Sequence, residues 1–177
     1  MTFQADFARE RDRSKAYEIA FSEYLQTVRG YYILPTYDYS GLGDGKAPRL
    51  LKGKDGLVLP DLMGVKNGKI SWFEIKLKSE ATYYRKGGCL ETGLNLRHWN
   101  DYQRVKAQIG AKIFIVFIHQ KEDRVVTLDT DDFAAAFSHQ YEDNKMGRGG
   151  MVFFDFAKLK FVMTASELER FIHETNE

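Results

Sequence analysis

Residues 60–79, PDLMGVKNGKISWFEIKLKS, hold the feature that most narrows what this chain can fold into. Two alternating apolar runs flank Asn67-Gly68, a dipeptide that accepts the positive φ angles of a two-residue hairpin turn, so antiparallel strands are predicted over about 61–66 and 69–77. Side chains of an extended strand alternate between faces. Phe73, Ile75 and Leu77 therefore share one face, which reads as core, while Trp72, Glu74 and Lys76 share the other, which reads as chemistry. The tight turn brings Asp61 alongside the Glu74 region, so two carboxylates and an ammonium converge. Close carboxylates repel and raise each other's pKa unless a cation sits between them. A hard divalent ion, Mg²⁺ or Mn²⁺, resolves that conflict, because it takes carboxylate oxygens together with waters and phosphate oxygens. Lys76 would then position or help deprotonate an attacking water and stabilise charge building on a phosphoryl centre.

The rest of the chain supplies a scaffold for this hairpin. Phe7, Ala16, Ile19, Ala20, Leu25 and Val28 recur at mostly helical spacing and Gly30 closes the run, predicting a helix over 6–29. Residues 31–40 read as a strand with Pro35 at an edge or bulge, and 41–56 as a glycine- and lysine-rich loop. Residues 80–93 show no period and read as a loop beside the site. Leu96, Trp99, Val105 and Ile109 predict a helix ending at Gly110, and the unbroken apolar run of 112–120 predicts a strand buried on both faces. A short strand (124–130), a helix (131–141) with Thr130 or Asp131 as N-cap, a hairpin or extended pair (151–163) and a terminal helix opening on a Thr164–Glu167 capping box complete the chain. The expectation is one α/β domain over 1–177: a core of about 6–118, comprising helix, three-strand meander, helix and strand with a mixed central sheet flanked by helices, and a small C-terminal αβ extension over about 121–177. A chain of 177 residues suits one well-filled core.

Composition narrows the partners. The net charge is +1, yet residues 41–112 carry fourteen Lys and Arg against seven Asp and Glu, and residues 121–177 carry seven against twelve. A basic middle around buried acids suits a polyanion such as nucleic acid; a lysine-rich solvated surface is the plain alternative. No run of about eighteen apolar residues occurs, so no membrane association is expected. The N-terminal stretch is charged where a secretory signal would be apolar. The single cysteine, Cys89, has no disulfide partner within the chain, in keeping with a cytoplasmic setting.

Pro60-Asp61, twelve intervening residues and then Glu74-Ile75-Lys76 resemble the PD-(D/E)XK motif of the restriction-endonuclease-like nucleases. The likeness covers about two-thirds of the chain and is nearest to the small Holliday-junction-resolvase-like and VRR-NUC-like enzymes of phages and mobile elements. It implies a Mg²⁺- or Mn²⁺-dependent DNA endonuclease, with structure selectivity for junction or branched DNA in recombination, repair or mobile-element processing. In those enzymes a helical glutamate precedes a Gly-aromatic pair by about three turns, and Glu18 stands so to Gly30-Tyr31. Glu18, Asp61, Glu74 and the Ile75 backbone carbonyl are then the implied metal ligands, with Lys76 serving the water and the scissile phosphate. Glu23 competes with Glu18; five residues apart, they do not share a helix face, and the spacing favours Glu18. The Gln-x-x-x-Tyr pattern of the exonuclease branches is absent. Gln103 is a candidate for orienting a water, set against an exposed helical glutamine.

Lys78, Arg85, Lys86, Arg97, Arg104 and Lys106 flank this centre and are candidates for backbone phosphates. His98, after Arg97, is a further phosphate candidate. Tyr83, Tyr84 and Trp99 could stack on unpaired bases, with core packing favoured for Trp99. The GLGDGKAP stretch fails as a P-loop, because its first glycine would fall at Ser40 and Ala47 replaces the hydroxyl residue, so no nucleotide cofactor is expected. The four histidines lack metal-ligand spacing. Cutting symmetric junction strands would call for a two-fold homodimer. Two other functions compete: a DNA-binding or assembly module that keeps the fold without turnover, and a purely structural ion-paired patch.

Overall fold

The computed structural model describes residues 3–36, 49–52, 55–142 and 149–174. The helices are α1 (Phe3–Thr27), α2 (Leu96–Ile109) and α3 (Ala165–Glu174). The strands are β1 (Tyr32–Pro35), β2 (Arg49–Lys52), β3 (Asp55–Val58), β4 (Leu62–Lys66), β5 (Lys69–Lys78), β6 (Thr82–Tyr84), β7 (Cys89–Asn95), β8 (Lys112–His119), β9 (Arg124–Asp129), β10 (Phe137–Tyr141), β11 (Met151–Asp155) and β12 (Lys160–Met163).

A six-stranded sheet runs β1-β4-β5-β8-β9-β12. Its pairs are antiparallel except β5 and β8, which are parallel. A parallel pair needs a long crossover, and β6, β7 and α2 provide it. The Asn67-Gly68 turn, with φ +50° and +71°, sets the register Leu62↔Phe73 through Lys66↔Lys69. α1, the β1-β4-β5 meander, α2 and β8 thus follow the expected helix, three-strand, helix, strand order. Pro35 lies on the edge strand, where its missing N–H breaks no inner ladder.

Both faces of the sheet are covered. On one, Tyr17, Phe21 and Tyr24 of α1 and Leu168 of α3 pack on Phe73, Ile75, Val116 and Ile118. On the other, Trp99, Tyr102 and Val105 of α2 pack with Trp72, Ile113, Ile115 and Phe117. The face of β5 that carries Trp72, Glu74 and Lys76, read as the chemical face, is therefore partly packed too, through Trp72.

A four-stranded sheet, β10-β11-β7-β6, backs this second layer, and Leu94, Val152 and Phe154 join the cluster. Three expectations are corrected here. Residues 80–93 form the β6-β7 hairpin rather than a loop, because β7 finds long-range partners in β11. Residues 131–141 are a 3₁₀ turn (Phe133–Ala135) and β10, not a helix: pairing of β10 with β11 overrides the alanine run. β11 and β12 do not pair with each other, since the 3₁₀ turn Phe156–Lys158 passes the chain from one sheet to the other. Within the expected loop of 41–56, β2 pairs with β3; its remainder, the P-loop-like stretch and the end of the 31–40 strand lie outside the described residues. The C-terminal third is woven into the body, β9 and β12 extending the central sheet and β10 and β11 forming half of the other. The Thr164–Glu167 capping box is present, each residue bonding the other's backbone N–H (2.8 and 3.0 Å).

Candidate active site

Asp61 ends the entry into β4 and is 4% exposed. Its carbonyl accepts the Thr36 N–H (3.0 Å) and the Thr36 hydroxyl (2.7 Å). The carboxylate Oδ2 accepts the Ile75 N–H at 2.7 Å, which fixes the side chain across the hairpin, one step beyond the Leu62↔Phe73 pair and level with Glu74. Thr36, 25 residues upstream, is a positioning group that no local pattern in the sequence reveals.

Glu74, 2% exposed, sits at the centre of β5. Its Oε1 is paired with the Lys76 ammonium; Oε2 is buried without a hydrogen-bond partner among the described residues. An unpartnered buried carboxylate oxygen carries a substantial desolvation cost, of order 1–3 kcal/mol or more. Trp72 Nε1, two residues earlier, is buried and unpartnered as well.

The surrounding charges act on one another. Burial first, then the Glu74 charge, pushes the Asp61 carboxyl well above the usual range; Lys76 opposes, Glu18 adds to the rise, and the Ile75 N–H opposes it. Glu18 on α1 is pushed up to about 7, mainly by burial, with Lys76 pulling down and Glu74 pushing up. Glu18 is thus part of the electrostatic cluster, whereas Glu23 does not figure among the charges acting on either acid. Among the described residues no three His, Cys, Asp or Glu side chains converge into a ready-made cage. Two carboxylates at hairpin register, with a third acid acting on both, is the less enclosed arrangement found.

Lys78 continues the row of Glu74 and Lys76 along β5. Burial and the Lys76 charge both lower its pKa. His98, in the first turn of α2, is lowered by burial and then by Lys76, with Glu74 opposing. The start of α2 therefore faces the same charges. Gln103 is not the exposed glutamine expected: its Nε2 is buried and unpartnered. Arg85 and Lys86 are exposed in the β6-β7 turn and Arg97 is exposed at the start of α2. Arg104 faces Asp101 at 3.9 Å. Lys106 is engaged by Asp131 and the Thr130 carbonyl, which withdraws it from the phosphate candidates. Trp99 is core, packed against Phe133 and Phe154. A cleft of about 660 Å³ bordered by Cys89, Glu122, Arg124 and Lys158 includes none of Glu18, Asp61 and Glu74, so the cluster is built into the sheet rather than into that cleft.

Fold and site together define a mixed α/β protein with a central mixed sheet flanked by helices and a buried acid–lysine cluster on its central hairpin. Among solved structures the chain is similar to a Holliday junction resolvase from the archaeal hyperthermophile Archaeoglobus fulgidus, at 9% identity and TM-score 0.45, over 77% of this chain and 87% of that one. It is also similar to a nuclease from a fusselovirus, at 13% identity and TM-score 0.45, over 100% and 98%. No family model matches the sequence. No curated protein matches it either.

Proposed function

We propose that this chain is a metal-dependent DNA endonuclease that hydrolyses phosphodiester bonds at its Asp61–Glu74–Lys76 centre, with junction or branched DNA as the preferred substrate. The observation that carries the reading is the pair of nearly inaccessible carboxylates on adjacent strands, one with a free buried oxygen and the other held above its usual pKa. Such a site favours added positive charge. The donor set fits Mg²⁺ or Mn²⁺, which bind through one or two carboxylates and keep waters and phosphate oxygens in the remaining positions. Asp61, Glu74 and the Ile75 carbonyl would hold the ion, with Glu18 as a further ligand. When bound, the ion supplies Lewis-acid polarisation of the scissile phosphate and a more acidic water.

The chain's own groups do the rest. Lys76, half-buried and tethered to Glu74, would hold a phosphate oxygen and the charge that develops on it. Thr36 and the Ile75 N–H keep Asp61 in register. Lys78, beside Lys76 on β5, is left to hold the flanking backbone, with Arg85, Lys86 and Arg97 exposed farther out.

The test is cleavage of end-labelled linear, flapped and four-way-junction DNA in Mg²⁺. Asp61→Asn and Lys76→Ala should each lower the rate by about 100-fold or more, with far-UV circular dichroism unchanged. Equal degradation by wild type and variants would mean a contaminant. Tight DNA binding by the wild type without cleavage in either Mg²⁺ or Mn²⁺ would leave a non-catalytic binding module.

A further inference from the structure

The outer face of the four-stranded sheet carries rings that the centre described above does not use. Tyr84 stacks on His139 (4.2 Å between centroids, 20° between planes), His139 on Phe153 (4.8 Å, 13°), and Phe153 on Tyr141 (6.0 Å, 26°). Tyr84 and His139 belong to β6 and β10, the two edges of a sheet whose order is β10-β11-β7-β6. Edges of a flat four-stranded sheet would stand about 14 Å apart. The sheet is therefore curled, and the rings roof its concave side. Beneath them Glu91, 4% exposed, holds His139 Nδ1 at 3.3 Å. Gly93 leaves room for the Phe153 ring, which would lie 2.8 Å from any Cβ there.

Packing alone does not account for two properties of this roof. Tyr141, at its end, is 48% exposed. Cations also sit at both ends: Arg85 and Lys86 follow Tyr84 in the turn, and Arg97 lies against Gly149, whose neighbour Gly150 abuts Tyr141. Arg85, Lys86 and Arg97 make no ion pair among the described residues. The acids on the same face are occupied, Glu91 by His139 and Ser138, and Asp155 by the Ala157 N–H. The inner rings cover one another's faces, which leaves Tyr141 as the open ring; an open ring with cations nearby matches an unpaired base whose phosphates need charge.

We propose that Tyr141, the exposed end of this ring row, stacks on an unpaired base of a DNA strand, at a site separate from the acid cluster. DNA as the ligand rests on the function proposed above; the stacking site would let the protein hold the single-stranded part of a branched substrate while a duplex arm occupies the hairpin site.

The probe is fluorescein-labelled oligothymidylate, followed by anisotropy in EDTA so that no cleavage intervenes, beside a blunt duplex. Tyr141→Ala should weaken oligothymidylate binding about tenfold, the loss expected for one stacked base, and leave duplex binding within roughly twofold. Tyr141→Phe should bind like wild type. Unchanged oligothymidylate affinity in Tyr141→Ala, or an equal loss on duplex, overturns the stacking site. The Asp61→Asn protein should keep oligothymidylate binding intact. If the wild type cleaves nothing yet Tyr141→Ala still loses the single strand, the stacking site stands and the nuclease reading falls.

Discussion

Glu18 shows how the cluster couples charge to stability. Its carboxyl is pushed up to about 7 in the folded protein from an ordinary value of 4.5. Between those pH values the folded state holds a proton that the unfolded chain has released, so stability is greatest below about 4.5 and declines as pH rises to about 7. The full shift corresponds to at most about 3 kcal/mol. His119 works in the opposite sense. Burial lowers it to about 4, so its contribution is present above about 6.5 and lost as pH falls. The two partly cancel in wild type, and the difference between wild type and Glu18→Gln isolates the glutamate. In the absence of metal, Glu18→Gln should gain stability relative to wild type between pH 4.5 and 7.5, and Mg²⁺ should raise the wild-type melting temperature more at pH 7.5 than at pH 5. Denaturant titrations across pH measure the first and thermal melts the second; a constant difference across pH would remove Glu18 from the cluster. At this scale the sequence was informative for Asp61, Glu74 and Lys76, because strand alternation and an Asn-Gly turn are local. It was silent on Thr36, and it misjudged Gln103, because burial of those groups depends on elements far away in the chain.

Among the elements, those written in short-range periodicity were legible and those held by distant partners were not. α1, α2, the β4-β5 hairpin and β8 follow from apolar spacing and from glycines that stop helices, Gly110 taking φ +63° at the end of α2. β7 escaped notice because its outer face carries Glu91, Gly93 and Asn95, residues that read as loop until Ser138, His139 and Phe153 are brought against them. β10 escaped because the alanines just before it, Ala134, Ala135 and Ala136, favour a helix. The junction between these strands and α2 is tight at Gly150, which has φ +87° and would place a Cβ 2.1 Å from the Tyr141 carbonyl oxygen. Its own carbonyl accepts the first N–H of α2, from Leu96 at 3.1 Å. Gly150→Ala should therefore destabilise the protein by about 3 kcal/mol or more. Gly68→Ala, at φ +71° with open space around the new methyl, should cost only about 1–2 kcal/mol, the penalty of the left-handed conformation. Urea unfolding of the two variants measures the contrast, and equal losses would show that the Gly150 contact relaxes freely.

At the level of the whole molecule, the question is whether residues beyond about 120 are an addition to the core or part of it. The sequence pointed to a small extension because the resemblance ends near residue 118. The structure places β9 directly against β8, with Val125, Val126 and Leu128 at most 4% exposed, and adds β12 outside it. α3 lies on the same layer as α1, where Leu168 and Met163 share a cluster with Phe21 and Tyr24, and Tyr17 bonds Glu169 of α3 and Gln120. Removing residues 121–177 would expose the edge of β8 and strip Ile115, Phe117 and Ile118, all fully buried, of one flank. An exposed apolar edge strand invites aggregation rather than leaving a smaller folded unit. A chain ending at residue 120 should therefore show no cooperative thermal transition and should aggregate. In the full chain, Leu168→Ala should cost about 2–5 kcal/mol and shift one transition that near-UV circular dichroism and tryptophan fluorescence report together. Both tryptophans lie in the opposite layer from Leu168, so coincidence of the two probes tests whether the layers unfold as one. Separate midpoints, or a sharp transition in the shortened chain, would make residues 6–118 an independent folding unit and would free the acid cluster from dependence on α3.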